Sequence, residues 1–289
     1  MGETTGTGRL IYTGTGEESA RGFLLRSTDT TGSVGGGLIE QAGAGTLKFT
    51  GNVGSSSTTA AKTLTLQGST EGVGELSGVI SNSDAGLTNL TKAGTGTWTV
   101  SGVNTYTGTT TVNGGTLVAG GTTTGSGVNS STAIVVNAAA TFALGRDNVI
   151  GDLSSLTLNG GTLDTRGNDD TLGNLSLTNL NTLALGDGST TLTFSGLTAG
   201  VGSMLRITGW TGLETGGGTD QVIFTGGLTE TQLASIKFVD PNGISGTFDA
   251  AVLGNGEIYA VVPESSVAGF ILLSACGFAF RRRDRRRGA

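Results

Sequence analysis

The chain has 289 residues, of which 54 are Gly and only two are Pro, and 13 % of its side chains are charged. His is absent and Cys276 is the single cysteine, which excludes most zinc sites, an intramolecular disulfide and every catalytic triad that needs an imidazole. Residues 281–289 hold six Arg and one Asp of the chain's 16 basic and 22 acidic side chains, so the rest carries 10 against 21, a net of −11 that repels phosphate backbones; no nucleic acid is expected as a partner.

Glycine at this level without proline is neither collagen nor a proline-rich linker. The remainder is largely Thr, Ser, Asn, Val, Leu and Ile, strand formers interleaved with turn formers, and no stretch before residue 263 has a 3.6-residue apolar period. Almost no helix is expected over residues 1–262.

Met1–Gly6 runs straight into a repeat, with no basic and apolar leader. A longer protein is therefore expected upstream. A nine-residue pattern, Gly-x-Gly-x-apolar-x-apolar-x-Gly, then occurs at Gly6–Gly14, Gly43–Gly51 and Gly94–Gly102. Its alternation is that of a half-buried strand, with Arg9, Lys48 and Thr99 facing out, and its glycines suit corners. The spacings of 37 and 51 residues imply loops of unequal length. Asn-Gly-Gly-Thr-Leu occurs at Asn113–Leu117 and again at Asn159–Leu163, 46 residues on, which is two coils of a solenoid with turns of roughly 20–25 residues. Leu64–Leu66, Leu156–Leu158, Leu175–Leu177, Leu183–Leu185 and Leu192–Phe194 supply further short strands.

These features fit a parallel β-helix of about 11 coils, a rod on the order of 50 Å long. An antiparallel sandwich or propeller is the rival fold. The best cluster for catalysis is Arg146, Asp147, Asp152, Asp164, Arg166, Asp169 and Asp170, since paired carboxylates cleave glycosidic bonds. Asp and Asn beside Gly are also ordinary turn chemistry, and that reading is preferred: no catalytic residue, cofactor or metal is assigned. Trp98 falls on a core position of the nine-residue pattern. Of the aromatic residues that could stack on sugars, Tyr106 and Trp210, beside Gly-rich turns, are the better candidates for exposure, with Tyr259 a further one, and none is assigned as a sugar contact.

The C-terminus reads as breaker, apolar span and basic stop. Val262-Pro263-Glu264-Ser265 precede an uncharged run from Val267 to Phe280 that includes Phe270, Ile271, Leu272, Leu273 and Phe278. At about 14 residues this run is short for a bilayer-crossing helix. Arg281, Arg282, Arg283, Arg285, Arg286 and Arg287 follow and would keep that end cytoplasmic.

Leu90–Gly121, reading Leu-Thr-Lys-Ala-Gly-Thr-Gly-Thr-Trp-Thr-Val-Ser-Gly and on through Asn113-Gly114-Gly115-Thr116-Leu117, resembles the autotransporter-associated β-strand repeat, also called the passenger-associated transport repeat. That resemblance implies a right-handed parallel β-helix on a surface or secreted protein. The tail resembles the PEP-CTERM sorting signal, with Ser265 where that motif has its second proline. It implies an exosortase-type processing enzyme as partner, a tether in the inner membrane before processing, and then a cell-surface or extracellular location. Leu192–Val262 is similar to the segment that often joins such repeats to such a tail. No self-secretion barrel is expected.

The expected architecture is thus all-β: a right-handed parallel β-helix followed by a short C-terminal transmembrane helix. Residues 1–188 form the repeat region, 189–262 complete or cap the solenoid, and 263–289 are the sorting tail. The expected function is a non-enzymatic structural or adhesive element with extracellular polysaccharide as candidate ligand. The alternative is a polysaccharide lyase or glycoside hydrolase on the same scaffold.

Overall fold

A computed structural model describes residues 7–26, 35–56, 60–69, 71–83 and 86–263. On the two main faces each strand but the last pairs in parallel with the strand one full coil later. On the first face the stack runs Thr7–Tyr12, Gly36–Gln41, Lys62–Gly68, Thr88–Lys92, Thr110–Val112, Ala133–Asn137, Ser155–Asn159, Asp170–Thr178, Thr190–Ala199 and Asp220–Phe224. The second face runs Glu17–Ser19, Gly45–Phe49, Gly72–Leu76, Thr97–Val100, Gly115–Ala119, Ala140–Leu144, Thr162–Asp164, Leu180–Ala184, Met204–Thr208 and Ile236–Val239. A third side is thinner: Phe23–Arg26 pairs with Val53–Ser56, and single bridges join Val53 to Ile80, Val103 to Gly127 and Val128 to Ile150. The described residues therefore wind through ten coils, a column of about 45 Å at the strand spacing of a sheet.

Coil length varies widely. Leu156 faces Leu175, 19 residues on, whereas Leu205 faces Ile236, 31 residues on. The extra residues lie in the corners, because register on the faces is held by inward side chains. One such column on the second face is Leu47, Gly74, Trp98, Leu117, Phe142, Leu163, Leu183, Ile207 and Phe238. Each leucine buried there contributes about 1.5–3 kcal/mol, and a slip of one residue would turn the whole row outward. Gly74 makes room for the largest member: a methyl group at Gly74 would overlap the indole of Trp98, whose Nε1 donates to the Gln67 carbonyl at 2.9 Å. Backbone closeness fixes other glycines. Gly45 has φ +75°, and a side chain there would strike the Thr15 carbonyl of the coil below.

The three nine-residue copies do not share a face. Gly45–Phe49 and Thr97–Val100 both lie on the second face, two coils apart, but Thr7–Tyr12 lies on the first. The unequal spacing thus records a change of face as well as unequal corners. The two Asn-Gly-Gly-Thr-Leu motifs are two coils apart, Thr116 facing Thr141 and Thr141 facing Thr162.

Helix among the described residues is one five-residue segment, Glu230–Ala234, capped by Thr229, with a 3-10 turn at Pro241–Gly243. The column closes with a change of strand direction. Thr247–Val252 and Glu257–Ala260 run antiparallel to each other and to the last strands of the two faces. No helix among the described residues is long and apolar enough to cross a membrane.

Candidate functional site

The acidic cluster sits at corners between successive coils, and its carboxylates are largely committed to backbone. Asp147 accepts from the Asp169 amide at 2.9 Å, and Asp169 in turn accepts from the Thr191 amide at 2.6 Å. Asp164 accepts from the Arg166 amide at 3.1 Å and pairs with its guanidinium at 3.4 Å. Asp170 is 2 % exposed and takes three amides, from Val149, Ile150 and Thr171, at 3.0, 3.1 and 2.9 Å. Burial pushes its carboxyl up to about 7, against the pull of those three donors. A perturbed carboxyl often marks catalysis, but this one has no route to a substrate. The carboxylates of Asp147, Asp169 and Asp170 each tie one coil to the next, whereas Asp164 braces its own corner through Arg166. Asp152 differs, because it is exposed and makes no hydrogen bond or ion pair with the described residues. No three acidic or thiol groups converge on a metal-sized space among the described residues.

Trp98 is buried in the core column as expected, and Tyr106 and Trp210, the better candidates for exposure, are buried as well. Tyr106 is fully buried, its hydroxyl linked to Thr110 Oγ1 at 2.7 Å and through it to Ser131 Oγ at 2.9 Å, and burial raises its phenol above the usual value. This internal hydroxyl chain removes the reason to keep the ring end in water. Trp210 is 1 % exposed and packs on Phe238 with ring centres 4.9 Å apart. For Trp210 the neighbouring glycine admits the ring inward: a methyl on Gly212 would overlap the Trp210 indole. Tyr259 is half-buried on the closing strand.

The outer surface of the first face has a chemistry that individual motifs did not disclose. From Lys62–Gly68 to Asp170–Thr178 every charged residue of the six strands points inward, and the outward side chains are Thr, Ser, Asn, Gln, Ala and Val. Thr65, Thr91, Thr111, Val135, Thr157 and Ser176 are aligned coil on coil. A second row is a ladder of amides: Asn137 Nδ2 donates to Asn113 Oδ1 at 2.6 Å, and Asn159 Nδ2 to Asn137 Oδ1 at 3.0 Å. Asn179 adds a further donor to Asn159 at 2.8 Å. The repeated Asn-Gly-Gly motif was the sequence signal for this ladder.

Of the sorting motif, Val262 and Pro263 are described. The Val262 amide donates to Glu214 Oε1 at 3.4 Å, and Pro263 is exposed. Glu264, Ser265, the apolar run and the arginine cluster lie outside the described residues.

Residues 90–119, which span the Trp98 strand, the Tyr106 corner and the start of the amide ladder, match the passenger-associated-transport-repeat family. That is the repeat on which the sequence resemblance was drawn. The chain is also 41 % identical over 93 residues to an adhesin autotransporter of Brucella suis, BmaC. This match covers 32 % of the present chain and 2 % of that much longer protein. No solved structure matches.

Proposed function

We propose that the protein is an exported, surface-located adhesive element, a rigid β-solenoid that carries contact surfaces and does no chemistry. The observation that carries this reading is the 41 % identity over 93 residues to an autotransporter adhesin, beside the repeat-family match at residues 90–119. The geometry agrees with it, since four of the five carboxylates in the best catalytic cluster brace the backbone or pair with Arg166. A lyase or glycosidase needs a reachable pair of acid and base groups, and only Asp152 is unengaged there.

Delivery is assigned to the tail. The Val262–Ser265 motif, the span through Phe280 and the Arg281–Arg287 cluster would tether the chain in the inner membrane until an exosortase-type enzyme releases it to the surface. A right-handed wind follows the near-universal hand of parallel strand crossovers.

The test compares the full chain with a chain lacking residues 277–289 in a host that has the processing enzyme. The full chain should reach the outer surface in a shortened form and make the cells adhere to a polysaccharide-coated plate. The shortened gene product should stay cell-associated at full length, with adhesion near background. Identical fractionation of the two would rule out a sorting role, and surface display without adhesion would rule out the adhesive one.

A further inference from the structure

Alongside the uncharged first face, where two consecutive coils turn into it, lies an open recess of about 490 Å³. It is lined by Asn129, Ser130 and Thr132 from one coil and by Asp152, Leu153 and Ser154 from the next. These segments lead directly into Ala133–Asn137 and Ser155–Asn159, two of the strands of the uncharged face. Its size is that of a small-molecule or single-ring subsite.

The polar groups of this recess fall into two classes. The Ser154 hydroxyl turns inward to the Ser131 carbonyl, and the Asn129 side-chain nitrogen donates to the Asn148 carbonyl at 2.8 Å. These hold the two coils together. The hydroxyls of Ser130 and Thr132 and the carboxylate of Asp152 have no hydrogen-bond partner among the described residues, and Asn129 Oδ1 is a buried acceptor that none of them satisfies. A buried acceptor left unpaired is destabilising, and a ligand or water hydroxyl that donates to it would recover that cost. Leu153 stands beside them 95 % exposed, an apolar side chain that packs against nothing in its own fold.

We infer that this recess and the adjoining uncharged face bind a neutral, hydroxyl-rich polysaccharide, with one sugar ring seated at Asp152 and Leu153. The inference rests on the adhesive reading above and names its ligand class and site. Asp152, an acceptor of up to four hydrogen bonds, takes adjacent ring hydroxyls, while Leu153 covers the C–H face of the ring. Ser130 and Thr132 both donate and accept, which matches hydroxyl groups and not a single charge type. The rest of the polymer lies along the face, where outward Thr, Ser and Asn recur at each rung over about 24 Å. Charge selects the class: a lone carboxylate in the recess of a chain with net charge −6 repels uronic-acid polymers, phosphate and nucleic acid.

Affinity electrophoresis of the full chain through gels holding a neutral glucan, a neutral mannan, an acidic polyuronate or a polyamine glycan reads this directly. Retardation is expected in at least one neutral gel and not in the polyuronate gel. Asp152→Ala and Leu153→Ser should each weaken that retardation at least fivefold. Both positions are exposed, so neither should alter thermal unfolding. Val201→Ser, at a fully exposed apolar residue on a distant corner, should leave it unchanged. Binding that is intact in both recess variants, or found only in the polyuronate or polyamine gel, overturns this site while leaving an adhesive function in place. No retardation in any gel, together with loss of cell adhesion in the surface-display test, overturns the adhesive reading as well.

Discussion

Lys92 shows how far a single position can depart from what its residue type suggests. It points inward on the first face, between Leu66 in the coil below and Val112 in the coil above. Its ammonium is fully buried and donates to the carbonyls of Ala93, Gly94 and Gly114 at 2.7, 3.0 and 3.0 Å, with no carboxylate beside it. It therefore clasps two successive corners, and burial lowers it from 10.5 to about 8. The native state releases this proton near pH 8 while the unfolded chain holds it to about 10.5, so folding gains from Lys92 as pH rises across that window and loses the gain as pH falls through 8. Relative to Lys92→Met, the wild-type chain should become more stable between pH 7.5 and 10 by an amount no larger than about 3 kcal/mol. Urea unfolding of both proteins over that range measures it. Parallel profiles would mean that the ammonium titrates normally.

At the scale of the element, register comes from two kinds of row, apolar inside and amide or hydroxyl outside. Asn137 takes part in two rungs of the amide ladder, giving one hydrogen bond and receiving another. Replacing it with Ala should cost about 1–2 kcal/mol, a fall of roughly 2–6 °C in the unfolding midpoint, with circular dichroism otherwise unchanged. A shift under 1 °C would show that water replaces both bonds without loss. The same rows decide how much was legible in advance. Alternation in Leu64–Leu66 or Leu156–Leu158 gave the strands, and the 46-residue repeat of Asn-Gly-Gly-Thr-Leu gave the coil, because both are local patterns with a fixed period. The face assignment of Gly6–Gly14 was not legible: an alternating strand bracketed by glycines fits either face, and only pairing with Gly36–Gln41 settles it. The burial of Tyr106 depended on a backbone bond to Ile80 of the preceding coil and a hydroxyl chain through Thr110 to Ser131, and that of Trp210 on Phe238, 28 residues on, and on Gly212, whose absent side chain leaves the space. Asp152 was legible as an acid but not as the one left unengaged, since Asp147, Asp169 and Asp170 differ from it only in which amide lies opposite.

On the scale of the whole molecule, a stack of parallel coils has two ends, and each presents open strand edges unless something covers them. Covering matters most where the column is apolar to its last rung. Here the last parallel rung carries Val222 and Phe224 on one face and Ile236 and Phe238 on the other, all fully buried. Their backbone edges are closed by two antiparallel strands, Phe248 lying opposite Phe238 and Ile258 opposite Val222. Reversing direction is what makes this an end: an antiparallel strand offers the wrong hydrogen-bond pattern and side-chain row for another parallel coil. A chain ending after Gly243 loses both closing strands, keeps the ten coils and should self-associate through the freed edges. Light scattering at rising protein concentration should show growing assemblies for that chain, whereas one ending after Pro263, with the closing strands intact, should not grow. Equal behaviour of the two would show that the antiparallel pair completes the fold without guarding its edge.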